Sequence, residues 1–336
     1  MNSKPVPWRH SPVMDRARPS GLTRRTLLGA GAAALCAGAA APGAGIRIGH
    51  QKGGTLLLAK ARGDVARRLA QRGIEPIDWA LFSSGPPLLD ALGAGALDIG
   101  VTGDTPPIFV QAHGGDLIYV ACQQISGASS AILVPKDSPA AALTDLRGKR
   151  LAFVKGSGAE ALVLAALAQA ALSFGDIVPV DLAPADALAA FATGRIDGWA
   201  IWDPYFAAAE LHQHARILVS GRDLASSAAF YLATRALVRD RPDALCAVLD
   251  ALRAEAAWGS AHLEEAAALI IQATGLEPAV ERATLARSEP AFAVEPLTDA
   301  LIEHQQSVAD GLAAAGVIPR PIRIREAVFS GWRPGA

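Results

Sequence analysis

Four short stretches of this sequence set a hydroxyl or carboxylate residue beside glycine or proline, just ahead of a hydrophobic run. They are Ser84-Gly85-Pro86-Pro87, Thr102-Gly103-Asp104-Thr105-Pro106, Lys155-Gly156-Ser157-Gly158 and Trp202-Asp203-Pro204-Tyr205. Ser, Thr and Asp cap helix N-termini, and Pro is favoured in the first helical turn. Helices are therefore expected to begin at Ser84, Thr105, Ser157 and Asp203, each after the end of a strand. A helix start presents unpaired backbone N–H groups and the positive end of the helix dipole, which suit an anion. Gly85, Gly103, Gly156 and Gly158 would let a ligand approach the backbone closely. The hydroxyls of Thr102 and Ser157 are candidate oxyanion donors, and Gln51 can donate through its amide. Trp202 and Tyr231 are candidate apolar walls, with core packing an equal alternative for Tyr231. Asp104 and Asp203 fit capping or donor-orienting roles better than contact with an anion. Lys52 and Lys155, beside turns, read as solvated. Each stretch alone also fits an ordinary capped helix; four of them, on two α/β halves, argue for a cleft that grips an anionic head group.

Competing chemistries lack their residues. There is no G-x-x-x-x-G-K-[ST] and no G-x-G-x-x-G after the first strand, so nucleotide binding is not expected. No G-x-S-x-G nucleophile turn occurs. The histidines are scattered, and His212-x-His214 has no carboxylate nearby in sequence, so neither a metal site nor a cofactor is expected. With a net charge of −1, there is no basic excess for nucleic acid. Catalytic residues are not expected, which favours a binding protein over an enzyme.

The elements that must position these residues follow from the pattern. At 336 residues and 51% hydrophobic content the chain can bury two medium cores. Residues 1–45 are set aside as an export signal. Arg24-Arg25 resembles the twin-arginine type, and the Gly/Ala-rich apolar run from Leu27 to Ala41 is short for a membrane span. Of the three cysteines, Cys36 lies in that run; Cys122 and Cys246 read as buried thiols. From Ile46 onward, strand–turn–helix units repeat. Strands are expected at 46–50, 77–82, 96–101 and 117–122, then at 131–135, 151–154, 196–202, 216–219 and 228–234. One helix is expected over Thr55–Gln71 and others after each candidate turn, with long helices from Pro242 onward. This order argues for parallel α/β sheets.

Several of these stretches together resemble the aliphatic sulfonate-binding proteins of bacterial ABC importers. They are Gly49-His50-Gln51-Lys52-Gly53, Gly85-Pro86-Pro87-Leu88-Leu89-Asp90-Ala91-Leu92, Thr102-Gly103-Asp104-Thr105-Pro106-Pro107-Ile108-Phe109, Lys155-Gly156-Ser157 and Trp199-Ala200-Ile201-Trp202-Asp203-Pro204-Tyr205. The resemblance spans about residues 46–326 and extends to nitrate and taurine binders. It implies an α/β, type II periplasmic binding protein fold, two α/β lobes joined by a crossing-strand hinge. Lobe one would comprise 46–133 plus 235–326, lobe two 134–234, with 327–336 as a tail. It implies a monomeric, exported periplasmic receptor that captures a small anionic ligand and delivers it to a membrane permease and its ATPase. The implied ligand residues are Gln51, Ser84, Gly85, Thr102, Gly103, Asp104, Ser157, Gly158, Trp202, Asp203 and Tyr231. The sequence departs from the family at His50, where an aromatic is common, and at Gly158 and Glu160, where Ser and His are. Ser157-x-x-Glu160 fits a capping box, which would turn the Glu160 carboxylate to the backbone. The competing reading is an enzyme of the same fold, such as a pyrimidine-precursor synthase, whose His- and Cys-rich motifs are missing here.

Overall fold

The computed structural model describes residues 45–222, 224 and 228–334. The expected export signal lies outside the described residues. The first run of elements is β1 (Ile46–His50), α1 (Gly54–Arg62), α2 (Asp64–Ala70), β2 (Ile77–Leu81), α3 (Gly85–Gly93), β3 (Ile99–Gly103), α4 (Thr105–Ala112) and β4 (Ile118–Gln124). The second is β5 (Ser130–Val134), β6 (Arg150–Phe153), α5 (Gly158–Gln169), β7 (Val178–Asp181), α6 (Pro184–Ala192), β8 (Gly198–Trp202), α7 (Tyr205–His212) and β9 (Arg216–Ser220). The chain then returns through β10 (Ala228–Ala233) to α8 (Arg235–Asp240), α9 (Pro242–Ala261), α10 (Leu263–Thr274), α11 (Pro278–Arg287) and α12 (Asp299–Ala314).

These strands form two five-stranded sheets, ordered β2-β1-β3-β10-β4 and β7-β6-β8-β5-β9. The sheets are not wholly parallel, as the repeating units suggested. In the first, β10 is antiparallel to β3 and β4; in the second, β5 is antiparallel to β8 and β9. Both reversed strands directly follow a crossing between sheets, so each enters its new sheet against the local direction. The β4–β5 and β9–β10 connections are thus the two crossings.

Each sheet is covered on both faces, which explains its nearly continuous apolar strands. In the first sheet Ile46 and Ile48 of β1 pack with α1, α2, α9 and α10, while Tyr119, Cys122 and Phe230 pack with α3, α4 and α12. In the second, Ala200 faces α5, and Trp199 and Ile201 face α6 and α7, as the two-residue period of a strand requires. Cys122 is buried, but Cys246 is only half-buried; both are free thiols.

Local chemistry accounts for the main departures from the expected elements. The single helix expected over Thr55–Gln71 is broken at Gly63, which takes a left-handed conformation (φ 74°) and donates its N–H to the Ala59 carbonyl, closing α1. Strand β7 and helix α11 were not anticipated. Residues 327–334 pack against the first sheet: Val328 bridges Tyr119, and the buried Trp332 donates through Nε1 to Asp250 at 2.9 Å.

Candidate functional site

The strand ends and helix starts converge as the capping pattern suggests, with two caps shifted by one residue. Helix α7 begins at Tyr205, so Asp203 precedes Pro204, which occupies the cap position; Asp203 still serves the helix, accepting from the Ala207 N–H at 3.0 Å. Likewise α4 is preceded by Asp104, and Thr105, expected as the cap, is its first residue, donating its hydroxyl to Asp104 Oδ1 at 2.8 Å. Ser157 caps α5 as expected: its Oγ accepts from the Ala159 N–H at 3.2 Å. Glu160 reaches back to the Gly156 N–H at 2.6 Å. Its carboxylate therefore serves the backbone, although at Gly156 instead of the Ser157 N–H of a regular capping box. Burial raises the Glu160 pKa, against the pull of that hydrogen bond.

These junctions open on one cavity, about 260 Å³, between the two sheets. Gln51, Gly85, Thr102, Gly103 and Tyr231 line it from the first sheet's side, and Ser157, Gly158, Trp202 and Asp203 from the second's. Ser84 and Asp104 do not line it. They are buried beneath the starts of α3 and α4, where the Asp104 carbonyl accepts from Gln305 Nε2 at 2.7 Å. Neither Lys155 nor Glu160 lines it. Lys52 does, with Nζ 5.6 Å from the centre of the Tyr205 ring, a contact that spans the cleft from the β1–α1 turn to α7.

The hydroxyls expected to bind an anion are already committed. Ser157 Oγ donates to the Val154 carbonyl at 2.6 Å, and Thr102 Oγ1 donates to the Gly103 carbonyl at 2.9 Å. Gln51 Nε2 donates one hydrogen to the Val101 carbonyl at 3.2 Å. These side chains brace the turns; beside the second Gln51 amide hydrogen and Lys52, the donors left over are backbone N–H groups. Gly53 and Ser84 make no side-chain capping bond to α1 or α3, so the first-turn N–H groups of Gly54, Thr55 and Gly85 rely on some other acceptor. In α5 the Ser157 side chain takes Ala159 and leaves the Gly158 N–H. Gly54, Thr55, Gly85 and Gly158 all line the cleft. Close packing makes Gly85 necessary: a Cβ there would meet Pro106 Cγ at 2.8 Å and Thr102 Cβ at 3.2 Å. Gly156 turns the chain into α5 with φ 73°.

A third wall was missed by sequence reasoning. Glu281, Thr284 and Leu285 of α11, followed by Ser288 and Phe292, close the cleft. The signal was present as spacing: 281, 284, 285 and 288 fall on one helix face. From α11, Arg287 reaches across to the second sheet. Its Nη1 lies 3.0 Å from Asp203 Oδ1, its Nη2 pairs with Glu210, and its guanidinium stacks 3.9 Å over the Phe206 ring. Burial pushes the Asp203 carboxyl up to about 6 even though Arg287 pulls it down. Burial, with a contribution from Asp203, pushes Glu281 up to about 7.

The arrangement can hold a small anion on backbone dipoles from both sheets, with an apolar and acidic wall for the rest of the ligand. The chain as a whole is similar to known proteins. Residues 85–266 match the model of the NMT1/THI5-like family. The chain is 38% identical over 290 residues to a putative aliphatic sulfonates-binding protein of Escherichia coli K12, covering 86% of this chain and 89% of that one. In structure it is similar to the alkanesulfonate-binding protein of Xanthomonas axonopodis pv. citri bound to MOPS. That match has a TM-score of 0.79 at 38% identity and covers 85% of this chain and 98% of that one. The desulfurization enzyme DSZB, at 16% identity and a TM-score of 0.60 over 85% of this chain and 96% of its own, shares the fold alone. The chain belongs to the NMT1/THI5-like family and, within it, to the aliphatic sulfonates-binding proteins.

Proposed function

We propose that this protein is the periplasmic solute-binding component of an ABC importer, capturing an aliphatic sulfonate between two lobes. Lobe one is built from β1–β4 with β10–α12 and the segment after them, and lobe two from β5–β9, so the lobe boundaries lie at the β4–β5 and β9–β10 crossings and not at 133/134 and 234/235. The observation that carries this reading is the convergence of helix starts from both sheets on one cavity, with first-turn N–H groups left to a ligand. A sulfonate spreads one negative charge over three oxygens. Several neutral donors from different elements suit it better than one cation, and each hydrogen bond to a charged group contributes roughly 1.5–3 kcal/mol. Residues 1–45 act as a twin-arginine export signal, and the monomeric receptor delivers its ligand to a membrane permease and its ATPase. It turns nothing over.

Calorimetric titration of the purified protein with butanesulfonate, taurine, sulfate and nitrate tests this. An alkanesulfonate should bind more tightly than sulfate or nitrate and be recovered unchanged. A preference for nitrate, or release of sulfite from the sulfonate, would refute it.

A further inference from the structure

Within the cleft one group is unexpected for a site that takes an anion. Glu281 projects from α11 into the cavity, is 2% exposed, and among the described residues forms no ion pair. Buried carboxyls normally find a cation or hydrogen-bond donors. One turn on, Thr284 also lines the cavity, and its Oγ1 is buried in the wall without a hydrogen-bond partner. Two polar side chains three residues apart on one helix face thus stand at the same cavity wall, a carboxyl without a cation and a hydroxyl without a hydrogen-bond partner.

The surrounding charges sharpen the requirement. Asp203 and Glu210, from the β8–α7 side, are both engaged by Arg287 of α11. Lys52, from the β1–α1 turn, is placed over Tyr205. Arg287 is thus shared by two carboxylates, with Glu281 close to one of them, leaving an acidic excess at this end, while uncommitted N–H groups lie at the starts of α1, α3 and α5. A simple alkyl tail would leave Glu281 and Thr284 unpaired. An ammonium carries the opposite charge and donors for both.

We propose that Glu281 and Thr284 form a tail subsite that selects sulfonates carrying a protonated amine, the ammonium pairing with the Glu281 carboxylate and donating to Thr284 Oγ1. This rests on the sulfonate reading above and names the subclass of ligand.

The test compares two ligands of equal length, 3-aminopropanesulfonate and butanesulfonate, which differ by NH3+ for CH3. They are titrated calorimetrically against the purified protein at pH 8. The wild-type protein should bind the aminosulfonate at least tenfold more tightly. In Glu281→Gln that ratio should fall to within about twofold, and in Thr284→Val it should fall part of the way. Circular dichroism confirms that each variant is folded, and the wild-type ratio stands independently of both. Equal wild-type affinities, or a ratio unchanged in Glu281→Gln, would overturn the subsite while leaving the sulfonate reading intact. If neither ligand binds, both readings fall.

Discussion

Replacing Glu281 by Gln should change how stability depends on pH, and the size of the change can be worked out. The carboxyl is 2% exposed, and burial holds its pKa near 7 against an ordinary 4.5. Between those values the folded protein binds more protons than the unfolded chain. A raised carboxyl pKa therefore makes folding less favourable as pH rises through that window. The full difference, roughly 2.5 pH units, corresponds to about 3 kcal/mol, of which about 2 kcal/mol falls between pH 5 and pH 8. Asp203, held up to about 6, contributes in the same direction between roughly pH 4 and 6. Gln keeps the shape and removes the charge. Urea unfolding of wild type and variant at pH 5, 6, 7 and 8 isolates the term, because most other titrations cancel in the difference. The variant should gain about 2 kcal/mol on the wild type between pH 5 and 8. Parallel pH profiles would show that Glu281 is not held in a desolvated site, and the reasoning would fail.

Arg287→Met should destabilise the protein by about 3 kcal/mol near neutral pH, because it strands the buried Asp203 carboxylate beside Glu210; urea unfolding should also show the loss shrinking at pH 5, where Asp203 is protonated. Gly85→Ala should weaken alkanesulfonate binding tenfold or more in calorimetry, because the added Cβ collides with Pro106 and Thr102 and shifts the start of α3. Ser157→Ala should cost about 1 kcal/mol of stability in urea unfolding through the lost cap and should weaken sulfonate binding, since the Gly158 N–H is no longer braced. Arg24→Lys with Arg25→Lys should block export, read by immunoblot of periplasmic and cytoplasmic fractions.

Much of the cleft was legible because its walls are local. A cap, a glycine and an apolar strand lie within a few residues of each other at Ser157 and around Asp203, and local chemistry decides their conformation. The hydroxyl directions were not legible. Ser157 and Thr102 satisfy carbonyls at Val154 and Gly103, an outcome set by side-chain rotamers that residue type does not reveal. Nor was the reversal of β5 and β10, since strand direction depends on which sheet a strand enters. The α11 wall was hidden by distance: Arg287 meets Asp203 across 84 residues of sequence. A stripe of Glu281, Thr284, Leu285 and Ser288 looks like an ordinary amphipathic face until the opposite wall is known.

Sulfonate capture as proposed holds one anion between the helix starts of both sheets. A crystal structure of the protein grown with an alkanesulfonate tests it most directly. Sulfonate oxygens should lie within about 3 Å of backbone N–H groups at the start of α1 or α3 and at Gly158, contacting both lobes at once. A sulfonate bound to one lobe only, or in the separate groove beside Arg253 and Glu295, would contradict it.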